Sequence, residues 1–361
     1  MIGLTLGRYF SARFLRMIMA VFLTIFGIVY IIDFVELLRR AGDQPGVSAG
    51  VIALLSLLRV PSASEQLMPF CVLCGTMAAF LDLTRKLELL VARAVGVSVW
   101  GFLVPPVLIA ALIGIASVGL FNPISALMKH HADGLEAQIF GLNGKPGAGA
   151  GLWVRQNNVD GQAILKADKV DDGGALLTSV TAYVYDRAGN FEGEVQAQTA
   201  TLLPGVWRLD HARILTPGEE SLEAGVYLLA TDLLAEQVVQ GVIAPESVPF
   251  WELPTVRGQT ETAGFDSTAY RLQFQTLLAR PLLFIAMVLI AAAFSLRFFR
   301  FGGIAKMIGG GVGAGFVLYI ATKVVGDLGS AGLLSAPVAA WSPAIVGGML
   351  GALALLHQED G

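Results

Sequence analysis

Residues 94–128 read AVGVSVWGFLVPPVLIAALIGIASVGLFNPISALM, 35 positions without an Asp, Glu, Lys or Arg. A helix crosses a bilayer with about 20 apolar residues, so this stretch is long enough to span with a margin on either side. Similar runs lie on both sides of it. Those at 17–32, 66–81, 281–296 and 307–322 are 16 residues long, and 328–358 has 31. The shorter runs must extend past the charges that bound them, whose long side chains snorkel to the interface. Six membrane helices are therefore expected, the second beginning near Val51. Three precede residue 129 and three follow residue 268.

The composition agrees. The chain has 361 residues, of which 55% are hydrophobic and only 14% charged, with a mean hydropathy of +0.68. Its charges are unevenly spread. Residues 122–266 hold 9 Lys/Arg and 19 Asp/Glu, whereas the remainder holds 15 against 9. One acidic, water-soluble insert thus interrupts a cationic membrane body. That insert offers no basic face, which argues against nucleic-acid binding.

Orientation follows from basic residues in the short loops. Arg8, Arg13, Arg16, Arg85, Lys86, Arg93, Arg297, Arg300 and Lys306 fall on one side, and only Arg39 and Arg40 on the other. The excess places both termini in the cytoplasm and the insert outside. The first apolar run lacks a small-x-small cleavage site and ends in Asp33-Phe-Val-Glu36, so it reads as an uncleaved anchor.

Within the insert, β-branched and aromatic runs recur at Gly151–Gln156, Ala163–Val170, Ala175–Tyr185, Phe191–Ala200, Val206–Leu215 and Ala224–Leu229. Turn clusters at Asp171-Asp172-Gly-Gly, Asp186-Arg-Ala-Gly-Asn190 and Pro217-Gly-Glu-Glu separate them, a spacing that predicts an antiparallel sandwich or jelly roll. Alternation through Val206–Ile214 turns Trp207, Leu209 and Ile214 toward an apolar face. Gly141–Gly151 reads as a flexible linker. The expected organisation is a membrane region at 1–128, a β domain with its linkers at 129–268, and a second membrane region at 269–361.

Motifs for chemistry are sparse. There is no G-x-x-x-x-G-K-[ST] phosphate loop, H-E-x-x-H or G-x-S-x-G in the sequence. Cys71-x-x-Cys74 lies in an apolar helix, where two cysteines serve as small packing residues. His130 and His131 are adjacent and point to different faces, a poor arrangement for a metal. No catalytic residue, metal site or cofactor is expected. An enzyme acting on envelope lipids would need a cleft among Asp168, Asp171, Asp186 and Glu192, which read as loop acids.

Two features do carry function. The loop from Asp82 to Ser98 places Leu83, Leu87, Leu90, Val91 and Ala94 at helical spacing, closed by Gly96. Such a short amphipathic helix between two spans fits a groove on a cytoplasmic partner, or else rests on lipid headgroups. The second feature is charge toward the outer half of the membrane: Asp33, Glu36, Arg59, Glu65, Arg271, Arg280, Lys323 and Asp327. Such groups are costly in lipid and should face protein or a wet cavity. Glu36 with Arg40 and Lys323 with Asp327 are spaced to pair, leaving Arg59, Arg271 and Arg280 as unpaired cations. Glycines at Gly302-Gly303 and through Gly309–Gly315 allow the fifth span to pack closely or to bend.

In order along the chain stand Arg8-Tyr-Phe, Asp33-Phe-Val-Glu-Leu-Leu-Arg-Arg-Ala-Gly42, Leu57-Leu-Arg-Val-Pro61, Glu88-Leu-x-x-x-x-Ala94-x-Gly96, Gly151-Leu-Trp153, Tyr270-Arg-Leu272 and Gly315-Phe-Val-x-Tyr319. With three spans on either side of a β insert, this series resembles the lipopolysaccharide-export permease family (LptF/LptG, also YjgP/YjgQ). Asp33–Gly42 and Gly151-Leu-Trp153 favour its LptG branch over the paralogous LptF.

The resemblance implies an α-helical inner-membrane protein with six transmembrane helices and a periplasmic β-jellyroll between helices three and four. It implies a non-hydrolytic subunit of an ABC exporter, paired with an LptF-like permease on two LptB-like ATPase subunits. An LptC-like single-helix protein and an LptA-like periplasmic bridge complete the expected system. The 82–98 loop then resembles the coupling helix, with Glu88, Leu89, Arg93, Ala94 and Gly96 at the ATPase. Arg40, Arg59, Arg271, Arg280 and Lys323 become candidates for the lipid headgroup. Relatives carry lysines where this chain has Asp33 and Ser62. Exporters for lipoprotein release place their large domain after the first span, unlike this chain.

Overall fold

Lipid offers no partner for a backbone N–H or C=O, so a chain this apolar is confined to helices where it crosses the membrane. The computed structural model describes residues 4–42, 47–96, 98–140, 152–158, 161–171, 175–186, 190–216, 221–231, 245–262, 267–301 and 303–359. Its helices are α1 (Leu4–Ala41), α2 (Ala49–Arg85), α3 (Glu88–Ala94), α4 (Val99–Ala116), α5 (Asn122–Phe140), α6 (Leu253–Thr262), α7 (Thr268–Phe301), α8 (Ile304–Ser330) and α9 (Ala336–Glu359). A π-helical turn at Ser117–Phe121 joins α4 to α5. Among the described residues six helical stretches are long and apolar enough to cross a membrane, with α4 and α5 together forming the third. The short charge-free runs do extend past their bounding charges, as α1 and α2 reach 38 and 37 residues.

The chain divides into two units. One comprises Met1–Ala132, Pro249–Trp251 and Thr268–Gly361; the other comprises Asp133–Val248 and Glu252–Ser267. In the membrane unit, α2 and α7 are central, with 61% and 56% of their apolar windows buried. Ile18, Met68, Leu73, Met77, Phe284, Met287 and Leu318 fill one core cluster. Phe10, Phe14, Phe80, Leu83, Leu89 and Phe102 fill another. By contrast, α1 and α8 bury only 6% and 17% of theirs.

Small residues set the helix spacing. A Cβ on Gly75 would stand 2.5 Å from the Ile18 Cα, and one on Gly114 would stand 2.5 Å from the Pro281 Cα. Backbones meet at these points, which only glycine permits. Cys71 and Cys74 are both free, Cys71 buried.

Among the described residues of the insert are six strands: β1 (Leu152–Asn158), β2 (Gly161–Asp171), β3 (Leu176–Tyr185), β4 (Phe191–Leu203), β5 (Val206–Leu215) and β6 (Leu222–Ala230). They make one antiparallel sheet in sequence order. Pro204-Gly205 links β4 to β5 in two residues, with Leu203 paired to Val206. Proline presets the first turn position and Gly205, at φ +81°, supplies the left-handed second one.

The sheet curls. Gln156 of β1 donates to the Ala230 carbonyl at the end of β6 (3.1 Å) and accepts from Thr231 Oγ1 (2.6 Å), so the first and last strands meet there. The enclosed face holds Ala163, Leu165, Val180, Ala182, Val195, Trp207 and Leu209. Trp207 and Leu209 are fully buried, and Ile214 packs against the same cluster.

Simple alternation breaks along one line. Inward residues step from Leu177 to Val180, from Ala197 to Ala200 and from Leu209 to Ala212. Between them lie Ser179 and His211, both at positive φ. Ser179 falls between the pairs Thr178–Thr199 and Val180–Ala197, and His211 follows Asp210, the partner of Thr199. A crease therefore runs across three strands, with two successive residues facing outward on each. The linker at 141–151 and the Pro217 turn lie outside the described residues.

Candidate functional site

Helix α2 ends where the Lys86 and Leu87 N–H groups turn back to the Asp82 and Thr84 carbonyls. Leu87 then takes a positive φ of 60°, an unfavourable conformation for a residue with a side chain. This reversal resets the helical phase. Leu83 remains buried, whereas Leu87, Leu90, Val91 and Val95 are exposed. The expected single stripe from Leu83 to Ala94 is corrected accordingly, since α2 stops before α3 begins. Glu88 opens α3, where a carboxylate favours the positive end of the helix. Gly96, at φ +86°, follows the helix, and Ser98 Oγ accepts the Gly101 N–H (3.1 Å) to start α4.

Of the residues expected at the partner surface, Leu89 is 1% exposed inside the Phe10–Phe14–Phe80 cluster. It anchors α3 rather than meeting a partner. Ala94 and Gly96 are exposed, and the Arg93 side chain lies outside the described residues. Glu88 is held from α1: Tyr9 Oη donates to its Oε1 at 3.0 Å. One turn further on, Arg13 pairs with Asp82 of α2, which Lys86 also approaches at 3.6 Å.

At the other end of the bundle lies a buried polar network. Glu65, 6% exposed, pairs with Arg280 of α7. Its Oε1 also accepts from Asn122 Nδ2 (3.0 Å), and its Oε2 from Ser125 Oγ (2.7 Å). Arg280 donates further to Ser117 Oγ at 3.2 Å. Asn122 Oδ1 accepts the Phe250 N–H at 2.9 Å. Pro123 has no N–H to offer the Gly119 carbonyl, and Trp251 Nε1 supplies a donor there at 3.4 Å. The π turn brings Ser117 to Arg280 and sets Asn122 and Ser125 against Glu65, which separates this span from a regular helix.

The candidate headgroup cations are not gathered in one place. Arg280 is not the unpaired cation expected, because Glu65 holds it. Arg59 Nε stands 3.9 Å from Asp33 Oδ1. Lys323 Nζ donates to Gln66 Oε1 (3.3 Å) instead of pairing with Asp327. Arg271 is exposed and Arg40 half-buried. Sequence reading missed Tyr9 and Asn122; a lone Asn in a charge-free span was the signal for the second.

Among the described residues no group of three or more His, Cys, Asp or Glu is placed to hold a metal. Among the described residues the candidate insert acids stand apart: Asp186 accepts from the Asn190 N–H within its turn (2.8 Å), while Asp168 and Glu192 are exposed. The Asp171 side chain lies outside the described residues.

A search of curated proteins returns no match. A family model described as "Lipopolysaccharide export system permease LptF/LptG" matches residues 8–357, nearly the whole chain. With six apolar spans around an inserted antiparallel sheet, the chain belongs to this family of inner-membrane transporter permeases, which are not themselves hydrolases.

Proposed function

We propose that this chain is the LptG-type subunit of a lipopolysaccharide exporter, paired with an LptF-type permease on two LptB-type ATPase subunits. An LptC-type helix stands beside the first span, and an LptA-type bridge receives the lipid. Both termini are cytoplasmic and the 129–268 insert is periplasmic, in keeping with the nine-to-two bias of basic residues. Asp33–Gly42 and Gly151-Leu-Trp153 support the LptG assignment.

The observation that carries this reading is the outward face of α3. Leu87, Leu90, Val91 and Val95 are exposed beside Glu88, on a helix pinned from behind by Leu89. An apolar stripe with one carboxylate suits a groove lined by apolar side chains and a cation. Closure of the ATPase pair on ATP pushes these helices and rocks the bundles as rigid bodies. Lipopolysaccharide enters from the outer leaflet into a cavity lined by α1, α2 and α8, and is squeezed toward the insert. The sparse burial of α1 and α8 supports their facing a lipid or a second subunit. Arg40, Arg59, Arg271 and Lys323 serve the headgroup phosphates, whereas Arg280 belongs to the buried network.

Purification in mild detergent tests the reading. The chain is expected to bring down a soluble ABC ATPase and a paralogous permease. Glu88→Arg is expected to lose the ATPase and lipid transport while the fold is retained. Unchanged transport by that variant would count decisively against the proposal.

A further inference from the structure

Tyr9 lies 79 residues from Glu88 in sequence, on a different helix, and its hydroxyl donates to one oxygen of that carboxylate. A carboxylate accepts at both oxygens. Oε2 of Glu88 has no partner among the described residues. Both helices are fixed in rotation around the bond. Phe10 and Phe14 lock α1 into the core beside Tyr9, and Leu89 locks α3 beside Glu88. Leu87 fixes the start of α3 through its positive φ. Within that frame the Tyr9 hydroxyl selects one arrangement of a side chain that otherwise samples several.

Resting on the reading of Glu88 as the ATPase contact, we propose that Tyr9 is its positioning residue. It occupies Oε1 and leaves Oε2 for a cation on the partner. Ordering a long side chain before docking removes that cost from the docking step. The same bond joins α3 to α1, the least buried span, so a push on the docking helix reaches α1 directly. A role of the Tyr9 hydroxyl apart from this bond would persist whatever stood at position 88, and a tie that merely holds the fold would lower the unfolding temperature. A positioning role acts only through the carboxylate.

A double-mutant cycle separates the two. Wild type, Tyr9→Phe, Glu88→Ala and the double variant are prepared as intact permease pairs in mild detergent and titrated with the LptB-type ATPase purified from the wild-type complex. Phenylalanine keeps the ring, which packs beside Phe10 at 5.9 Å, and removes only the donor. Tyr9→Phe is expected to weaken ATPase association about 2- to 10-fold, the span of one hydrogen bond, without lowering the unfolding temperature. In the Glu88→Ala background it is expected to change nothing further. If Tyr9→Phe binds like wild type while Glu88→Ala weakens association, the positioning role is overturned and the role of Glu88 stands. An equal loss in both backgrounds marks a role apart from the bond, and a lowered unfolding temperature in Tyr9→Phe marks a structural tie; either overturns it. If Glu88→Ala has no effect, the underlying reading of α3 fails together with this proposal.

Discussion

Glu65 on α2 and Arg280 on α7 form an ion pair inside the membrane unit, 215 residues apart in sequence. Among the described residues, the other hydrogen bonds of the pair come from the third span: Asn122, Ser125 and Ser117. Charges this deep are tolerable only when paired and further hydrogen-bonded. The arrangement meets that condition, and it joins the two most buried spans to the one between them.

Removing one partner leaves the other buried and uncompensated. Glu65→Leu or Arg280→Met is expected to cost about 3–5 kcal/mol of stability. The double substitution is expected to cost far less than the sum, because neither charge is then stranded. Thermal unfolding of the whole chain in detergent measures this. Additive losses would show that the two side chains do not act as a pair.

Asn122 bridges Glu65 and the Phe250 backbone, so its two ends predict opposite sensitivities. Asn122→Ala strands the Phe250 N–H, at about 1–3 kcal/mol. Asn122→Asp keeps an acceptor for Phe250 but sets a second carboxylate against Glu65, and is expected to be the worse of the two. Hydrogen exchange at the Phe250 amide reads the first effect directly. Protection unchanged in Asn122→Ala would remove the bridge from the account.

The spans and the six strands were legible because each rests on a local signal: charge-free runs for the helices, alternation between turn clusters for the sheet. The family was legible because its short motifs keep their order. The Glu65–Arg280 pair was not, since i,i+4 spacing finds partners within a helix and this partner lies on another one. Arg280 accordingly read as an unpaired cation. Leu89 read as a contact residue because it stands beside Glu88 in the matching motif, and a motif does not say which side chain the reversal at Leu87 turns inward. Ser179 and His211 broke the strand alternation for the same kind of reason: positive φ in a residue with a side chain has no signature in composition.

Helix spacing gives a third prediction. Gly75→Ala is expected to destabilise by about 1–3 kcal/mol, because its Cβ would meet the Ile18 backbone at 2.5 Å. Gly309→Ala, also within a span, has nothing within 4 Å of its new Cβ and is expected to be neutral or slightly stabilising. The contrast in unfolding temperature separates packing from helix propensity. Equal effects at both positions would refute close approach at Gly75.

The crease in the sheet reverses ordinary strand preferences at one residue. Valine normally suits a strand better than glycine does. At His211, with φ at 55°, a β-branched side chain is forced against its own backbone. Glycine escapes the left-handed penalty of about 1–2 kcal/mol, less roughly 0.5–1 kcal/mol for its extra freedom when unfolded. His211→Gly is therefore expected to stabilise the insert by up to about 1.5 kcal/mol, and His211→Val to destabilise it by at least about 1 kcal/mol. Hydrogen exchange at the Leu209 and Ala212 amides in the intact chain follows both. Their inward side chains straddle the crease, so protection rises with glycine and falls with valine. The opposite order would mean that β5 runs through His211 as a regular strand, leaving the shift from Leu209 to Ala212 without its cause.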